Sequence, residues 1–252
     1  MLTAEQVGGF IDDGYVRVES AFSTQLAHQC CKEIWAALQE DPNDPSTWNR
    51  PVVRLQGFAT APFQAAANTP ELHEAFDQLV GPGRWEARES LGTIPVRFPV
   101  EADPGDDGWH IDANFAGAQG EPRVDLRLHG RALLMLFLFT DVEHDDAPTR
   151  IRVGSHLDVP PFLREAGDQG RECFELCGDI VPASELRPEA RATGRAGDVY
   201  LCHPFLIHAA QRHHGLRPRP MAQPPLYPTG PVDLTGSPLP PVAGAITRSL
   251  AA

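Results

Sequence analysis

Apolar positions repeat at helical spacing through most of the first ninety residues. Thr3 and Gln6 have the spacing of a capping box, and Gly14, beyond the apolar stripe, predicts the end of a first helix. Residues 15–18 then read as a short strand. Two further helices are predicted to begin at the capping residues Ser23 and Thr69.

From about Glu89 the pattern changes to short apolar runs separated by turn residues. The predicted strands are Leu91–Phe98, Trp109–Phe115, Leu133–Thr140, Arg150–Gly154, Asp198–His203 and Met221–Leu226. The proline-rich residues 218–241 are predicted to be surface loop with one strand, followed by a closing helix over Ala243–Leu250. This order predicts one domain, residues 1–252, with a helical part over about 1–88 and a β-sandwich or barrel over about 89–230.

The net charge narrows the possible binding partners, and the cysteines indicate the cellular compartment. The chain carries 34 Asp and Glu against 21 Lys and Arg, so it should repel nucleic acids and anionic membranes. Its five cysteines contain no C-x-x-C pair, which favours reduced thiols in a cytoplasmic protein. The first residues lack a basic region followed by an apolar stretch, so no signal peptide is expected. The longest apolar run (132–139) is too short to span a bilayer, and no pattern indicates an oligomeric state.

A His-x-Asp pair on an extended segment can supply two metal ligands, because residues two apart point to the same side of a strand. Three such pairs occur: His110/Asp112, His144/Asp146 and His156/Asp158. The second lies in a polar turn and the third precedes a Pro-Pro break, so the context favours the first. A third ligand is expected from His203 or His208. These are five positions apart with Pro204 between them, so strand periodicity leaves both open.

Four stretches together resemble the phytanoyl-CoA dioxygenase family of Fe(II)/2-oxoglutarate oxygenases, over nearly the whole chain. They are the opening segment from Phe10 to Phe22, Trp109–Asp112, the Gly-Ser-His strand Ala147–His156, and Gly197–His208. The resemblance implies a mainly β fold, a double-stranded β-helix (jelly-roll, cupin-like) core with N-terminal helices packed outside. It implies Fe(II), 2-oxoglutarate and O₂ as cofactor and co-substrates, with ascorbate as a possible reductant.

The resemblance also assigns residues. It selects His208 to join His110 and Asp112 as the metal ligands, and it makes Arg219, eleven residues later, the clamp for the far carboxylate of 2-oxoglutarate. Arg54 and Thr149 are predicted to lie near the co-substrate, with ordinary surface charge as the alternative for Arg54. Two departures concern the same pocket. Leu136 stands where some members have tryptophan, and Ala209-Ala210 stands where members often have Gly-Ser.

Three residues are predicted to face the substrate. Asn114 shares strand parity with the metal motif, Trp109 opens that motif, and Arg97 lies on the strand leading to it. A surface charge is again the alternative for Arg97. His213 and His214, in a basic loop, are expected to be solvated. The resulting prediction is an Fe(II)/2-oxoglutarate dioxygenase that oxidises, most simply hydroxylates, a small molecule such as a specialised metabolite. Desaturation, cyclisation or halogenation at the same centre, or a non-catalytic cupin-like metal-binding protein, are the alternatives.

Overall fold

The computed structural model describes residues 1–251. Its helices are α1 (Ala4–Asp13), α2 (Thr24–Ala37), α3 (Ala61–Ala67), α4 (Pro70–Leu79), α5 (Pro160–Leu163), α6 (Cys173–Ala183) and α7 (Pro241–Ala251). Its strands are β1 (Tyr15–Val18), β2 (Val52–Leu55), β3 (Ile94–Arg97), β4 (Phe115–Ala116), β5 (Pro122–Val124), β6 (Leu133–Leu138), β7 (Arg150–Arg152), β8 (Arg171–Glu172), β9 (Glu189–Arg191), β10 (Val199–Cys202), β11 (His208–Ala209), β12 (Arg219–Ala222) and β13 (Pro225–Leu226). Among the described residues, no helix combines the length and the apolar character needed to cross a membrane.

The first helix begins and ends where its sequence predicts. The hydroxyl of Thr3 accepts the N–H of Gln6 at 3.2 Å, and the Gln6 side chain accepts the N–H of Thr3 at 2.9 Å, which completes a capping box. At the other end Gly14 has φ 88° and donates its N–H to the carbonyl of Phe10 at 3.0 Å. Glycine is required here for two reasons. The positive φ disfavours residues with a side chain, and a Cβ at this position would lie 2.5 Å from Nδ1 of His156.

The main sheet is antiparallel, with strand order β1-β10-β6-β12-β3-β2, and β13 also pairs with β6. Strand β6 is central and its six residues are all buried and apolar, which is why it reads as a continuous apolar run. Met135 and Phe137 face the helices, whereas Leu134, Leu136 and Leu138 face a second cluster.

That second cluster lies between the main sheet and a smaller antiparallel sheet with order β11-β7-β9. Ile151 of β7 and Leu206 join the inward side chains of β6, β10 and β12 in it. Two antiparallel sheets enclosing one core, with helices outside, confirm the jelly-roll fold. A third small sheet, β4-β5-β8, lies off these two.

The predicted strand over Trp109–Phe115 is wrong for most of its length. His110 pairs with His208 in a single bridge, and Asn114 then donates its N–H to Arg123 at 2.8 Å in the third sheet. The segment therefore changes partner sheets midway, and a regular strand begins only at Phe115. Helix α6 and strand β2 had no prediction, and the predicted strand over Met221–Leu226 is split into β12 and β13.

Candidate metal centre and co-substrate pocket

The structure brings His110, Asp112 and His208 together, with one potential ligand atom of each lying within 4.8 Å of the others. The backbone holds two of them directly, because the N–H and C=O groups of His110 pair with those of His208 at 3.0 and 2.9 Å. His208 in turn lies opposite Ile151 of β7 and projects to the same inner side of the small sheet.

Backbone carbonyls orient both imidazoles. Nδ1 of His110 lies 2.8 Å from the carbonyl of Gly108, and Nδ1 of His208 lies 2.9 Å from the carbonyl of Leu206. A carbonyl only accepts, so each Nδ1 carries the proton and each Nε2 keeps its lone pair for a metal. Nε2 of His208 lies 4.0 Å from the carboxylate of Asp112.

The charge states also suit metal binding. Burial lowers the pKa of His208 to about 4, against the opposing pull of Asp112, so the imidazole is neutral near pH 7. Burial raises the pKa of Asp112, but the nearby Arg131, followed by His208 and His110, outweighs that effect and lowers the pKa overall. Nη1 of Arg131 lies 3.3 Å from Oδ2 of Asp112. The site thus offers two imidazoles and one carboxylate.

The remaining candidate histidines lie elsewhere. His144 is exposed and bonds to Asp145, as expected for a polar turn. His156 contacts the carbonyl of Ile11 at 3.1 Å, and His203 contacts the carbonyl of Val242 at 3.2 Å, with their rings 5.0 Å apart. Both bonds tie the terminal helices to the core, which explains burial without a metal.

Arg219 is 2% exposed, and its guanidinium is only partly satisfied. Nε donates to the carbonyl of Asp146 at 3.3 Å and Nη2 donates to the carbonyl of Ala147 at 2.5 Å, whereas Nη1 is buried without a partner. Burial lowers the pKa of Arg219 to about 9, and nearby Arg97 acts in the same direction, so the side chain remains a cation at neutral pH. Arg219 and Met221 are two positions apart, and Met221 belongs to the inner cluster, so both project between the sheets.

A cation with one free, buried donor fits the carboxylate of a co-substrate, since guanidinium binds carboxylate through paired N–H groups. Two imidazoles and one carboxylate likewise fit Fe(II), which this donor set binds with coordination positions left open.

The predicted co-substrate neighbours are Arg54 and Thr149, whereas Arg97 was predicted to face the substrate. Arg97 lies directly opposite Arg219 in the sheet, and its Nη2 donates to Asp106 at 2.7 Å. Asp106 also binds Arg54, whose side chain is half exposed. Thr149 is buried, and its hydroxyl lies 3.9 Å from the sulfur of Met221. Arg54 therefore reaches the buried arginines only through the carboxylate of Asp106.

The other two predicted substrate residues, Trp109 and Asn114, flank the metal motif in the sequence. Asn114 donates its amide to the carbonyl of Asp125 at 2.9 Å and to its carboxylate at 3.3 Å, which leaves Oδ1 of Asn114 buried and without a partner. Asn114 lines an open cleft of about 340 Å³ together with Ala113, Phe115, Arg131 and Tyr227. Trp109 has the guanidinium groups of Arg150 and Arg152 over its ring, each 4.6 Å from the centroid.

Two residues beside this site, Arg131 and His213, were not predicted from the sequence or were predicted wrongly. Arg131 follows no motif, and only its contact with Asp112 distinguishes it from other arginines. His213 was expected to be solvated but is 4% exposed, whereas His214 is exposed as expected. A run of Arg and His in a loop gave no signal for which histidine turns inward.

The family model described as phytanoyl-CoA dioxygenase (PhyH) matches residues 10–221. No curated protein matches the chain.

Several solved structures share the fold. HygX from Streptomyces hygroscopicus, with nickel and 2-oxoglutarate bound, is 18% identical over 91% of this chain and 88% of its own, with a TM-score of 0.61. The epimerase SnoN from nogalamycin biosynthesis, in complex with Fe³⁺, α-ketoglutarate and nogalamycin RO, is 18% identical over 89% of this chain and 82% of its own, with a TM-score of 0.60. EctD from S. alaskensis, with 2-oxoglutarate and 5-hydroxyectoine, is 20% identical over 90% of this chain and 76% of its own, with a TM-score of 0.56.

Proposed function

Because this chain belongs to the phytanoyl-CoA dioxygenase family of Fe(II)- and 2-oxoglutarate-dependent oxygenases, we propose that it oxidises a small organic molecule, most simply by hydroxylation. The enzyme class and the two cofactors predicted from the resemblance are confirmed by that membership. The observation that supports the site is the grouping of His110, Asp112 and His208. When bound, iron and 2-oxoglutarate supply the oxidant, as O₂ converts 2-oxoglutarate to succinate and carbon dioxide.

The chain's own part is to hold and shield these groups. We assign Nε2 of His110, Nε2 of His208 and a carboxylate oxygen of Asp112 as the metal ligands. Three ligands on one side of the metal leave three positions for the co-substrate and oxygen. Arg219 binds the far carboxylate of 2-oxoglutarate through Nη1, which has no other partner. Thr149 and Arg54 remain predicted co-substrate neighbours.

We assign the substrate to the cleft that Asn114 and Arg131 line. Ala113, next to Asp112 in the chain, also lines this cleft, and Arg131 contacts Asp112 itself, so the cleft adjoins the metal ligands. The buried acceptor Oδ1 of Asn114 suits a hydroxyl or amine of the substrate. Arg97 and Trp109 remain predicted substrate contacts.

Asn114→Leu should raise the KM for the substrate about 3- to 10-fold, because one neutral hydrogen bond is lost. Affinities for metal and for 2-oxoglutarate should stay unchanged, since Asn114 contacts neither proposed site. Steady-state kinetics give the first quantity and calorimetry gives the other two. An unchanged KM, or a loss of 2-oxoglutarate affinity, would contradict this role.

The substrate itself is expected to be a small molecule and not a coenzyme A thioester. The chain has 34 acidic residues against 21 Lys and Arg, so it lacks the general positive field that would attract three phosphate groups. Succinate release should therefore be stimulated by free acids, amino acids or polycyclic metabolites, and not by acyl-CoA thioesters. The assay is succinate formation with Fe(II), 2-oxoglutarate and a substrate panel.

Three results of that assay have distinct meanings. Turnover of a thioester, with none of the matching free acid, would refute the charge argument. Product analysis separates hydroxylation from desaturation, cyclisation or halogenation. Another protein with a similar fold, the carbocyclase SnoK from nogalamycin biosynthesis, is a reason to look for ring formation. Absence of any succinate from metal-loaded protein would favour the non-catalytic alternative.

A further inference from the structure

One of the three proposed metal ligands is held less firmly than the other two. The imidazoles of His110 and His208 are each oriented by a backbone carbonyl, and the backbones of these two residues pair with each other. The side chain of Asp112 is 32% exposed, and among the described residues its salt bridges are those with Arg131 and His208. Because His208 is itself a proposed ligand, Arg131 is the charged partner of Asp112 outside the ligand set.

The backbone on either side of this contact brings Arg131 to Asp112. Gly130 packs so closely on the carbonyl oxygen of Asn114 that an added Cβ would lie 2.1 Å from that oxygen. Nε of Arg131 donates to the carbonyl of Ala113 at 3.3 Å. The segment that carries Arg131 leads directly into the central strand β6. The two residues that follow Asp112 are therefore fixed against a rigid part of the main sheet.

The guanidinium of Arg131 has one buried nitrogen that requires an acceptor. Nη1 lies 3.3 Å from Oδ2 of Asp112 as an ion pair, but it has no aligned hydrogen-bond partner among the described residues. A buried donor is costly to leave unpaired, and the carboxylate of Asp112 is the acceptor within its reach. Since Nε is already bound to Ala113, the planar guanidinium meets this carboxylate from a fixed direction.

We propose that Arg131 is a positioning residue of the metal centre, which holds the carboxylate of Asp112 in the orientation that binds the metal. Residues that orient a metal ligand commonly account for about 10- to 100-fold in metal affinity. The charge of Arg131 also repels a divalent cation, which acts in the opposite direction. We expect orientation to outweigh repulsion, because Asp112 offsets that charge. The proposal rests on the proposed function, in which Asp112 is a metal ligand.

The test is titration of the full-length protein with Co(II), followed by the visible absorption of the bound ion. Arg131→Gln should raise the dissociation constant of Co(II) about 10- to 100-fold and change the absorption spectrum, which reports the arrangement of the ligands. The melting temperature of the metal-free protein should fall only slightly, since partly exposed ion pairs contribute little to stability. Arg131→Lys keeps the charge but loses the planar fork, so its affinity should be intermediate.

Arg127→Gln is the matched control, because Arg127 is an exposed arginine whose salt bridge, at 3.7 Å, is with Asp168. It should bind Co(II) like the unchanged protein. An unchanged affinity or spectrum in folded Arg131→Gln would leave Arg131 a structural role alone, and tighter binding would mean that repulsion dominates; each of these results overturns the proposal. If Arg131→Gln does not fold, the same comparison with Arg131→Lys decides. Failure of the unchanged protein to bind Co(II), or equal binding by Asp112→Ala, would instead refute the proposed ligand set.

Discussion

His208→Ala should abolish binding of Fe(II). The substitution removes one of three proposed ligands. Loss of a residue that only hydrogen-bonds to a metal ligand already lowers metal affinity about 10- to 100-fold. We therefore expect the affinity for Fe(II) to fall by more than about 100-fold. The protein should still fold, because His208 belongs to a strand of only two residues and its backbone pairing does not need the imidazole. Equilibrium titration with Fe(II) under anaerobic conditions measures the affinity, and circular dichroism checks the fold.

His203→Ala is the informative comparison, since His203 was the other candidate for the third ligand. His203 is fully buried and contacts the carbonyl of Val242 at 3.2 Å, so its loss should lower the melting temperature. The affinity of the folded protein for Fe(II) should be nearly unchanged. His144→Ala, at an exposed site, should change neither. Equal loss of metal in His203→Ala and His208→Ala, or loss in His203→Ala alone, would overturn the assignment.

The two histidines show why periodicity could not choose between them. Strand β10 ends at Cys202, the chain turns where Leu206 donates its N–H to the carbonyl of His203, and His208 then opens a strand of the other sheet. The parity rule holds only within one strand, so it fails across this turn. The family resemblance selected His208 because the family's motif includes the residues of this turn, from His203 to His208.

Helix caps and the central strand were predictable because their causes are local. The capping box of Thr3 and Gln6 and the apolar run of β6 each depend on residues close in the sequence. Pairing between distant segments has no such signal. Strands β1 and β2 come from the N-terminal part of the chain yet lie at the two edges of the main sheet.

The same limit explains the surroundings of the site. Arg131 meets Asp112 nineteen positions earlier in the chain, and His213 is buried because its loop folds against Asp146. Charged and polar residues in a loop predict solvent exposure on average. Which of two adjacent histidines turns inward depends on packing that the local pattern does not encode.

Arg219→Ala should raise the dissociation constant of 2-oxoglutarate by roughly 30- to 4000-fold. Removing one partner of a buried, charged contact costs roughly 2–5 kcal/mol, and the far carboxylate would then lose its main cationic partner. Arg219 does not belong to the proposed ligand set, so the affinity for Fe(II) should be nearly unchanged. Calorimetric titration of 2-oxoglutarate into metal-loaded protein gives the first value, and an anaerobic metal titration gives the second.

Two neighbouring variants separate geometry from charge. Arg219→Lys keeps the charge but loses the planar pair of donors, so its affinity should fall between those of the unchanged protein and Arg219→Ala. Arg217→Ala removes an exposed arginine two positions away and should have no effect. If Arg219→Ala binds 2-oxoglutarate as well as the unchanged protein does, the clamp must be assigned to Arg54 or Arg217. The unpartnered Nη1 of Arg219 would then require another acceptor, because an isolated buried donor is costly to maintain.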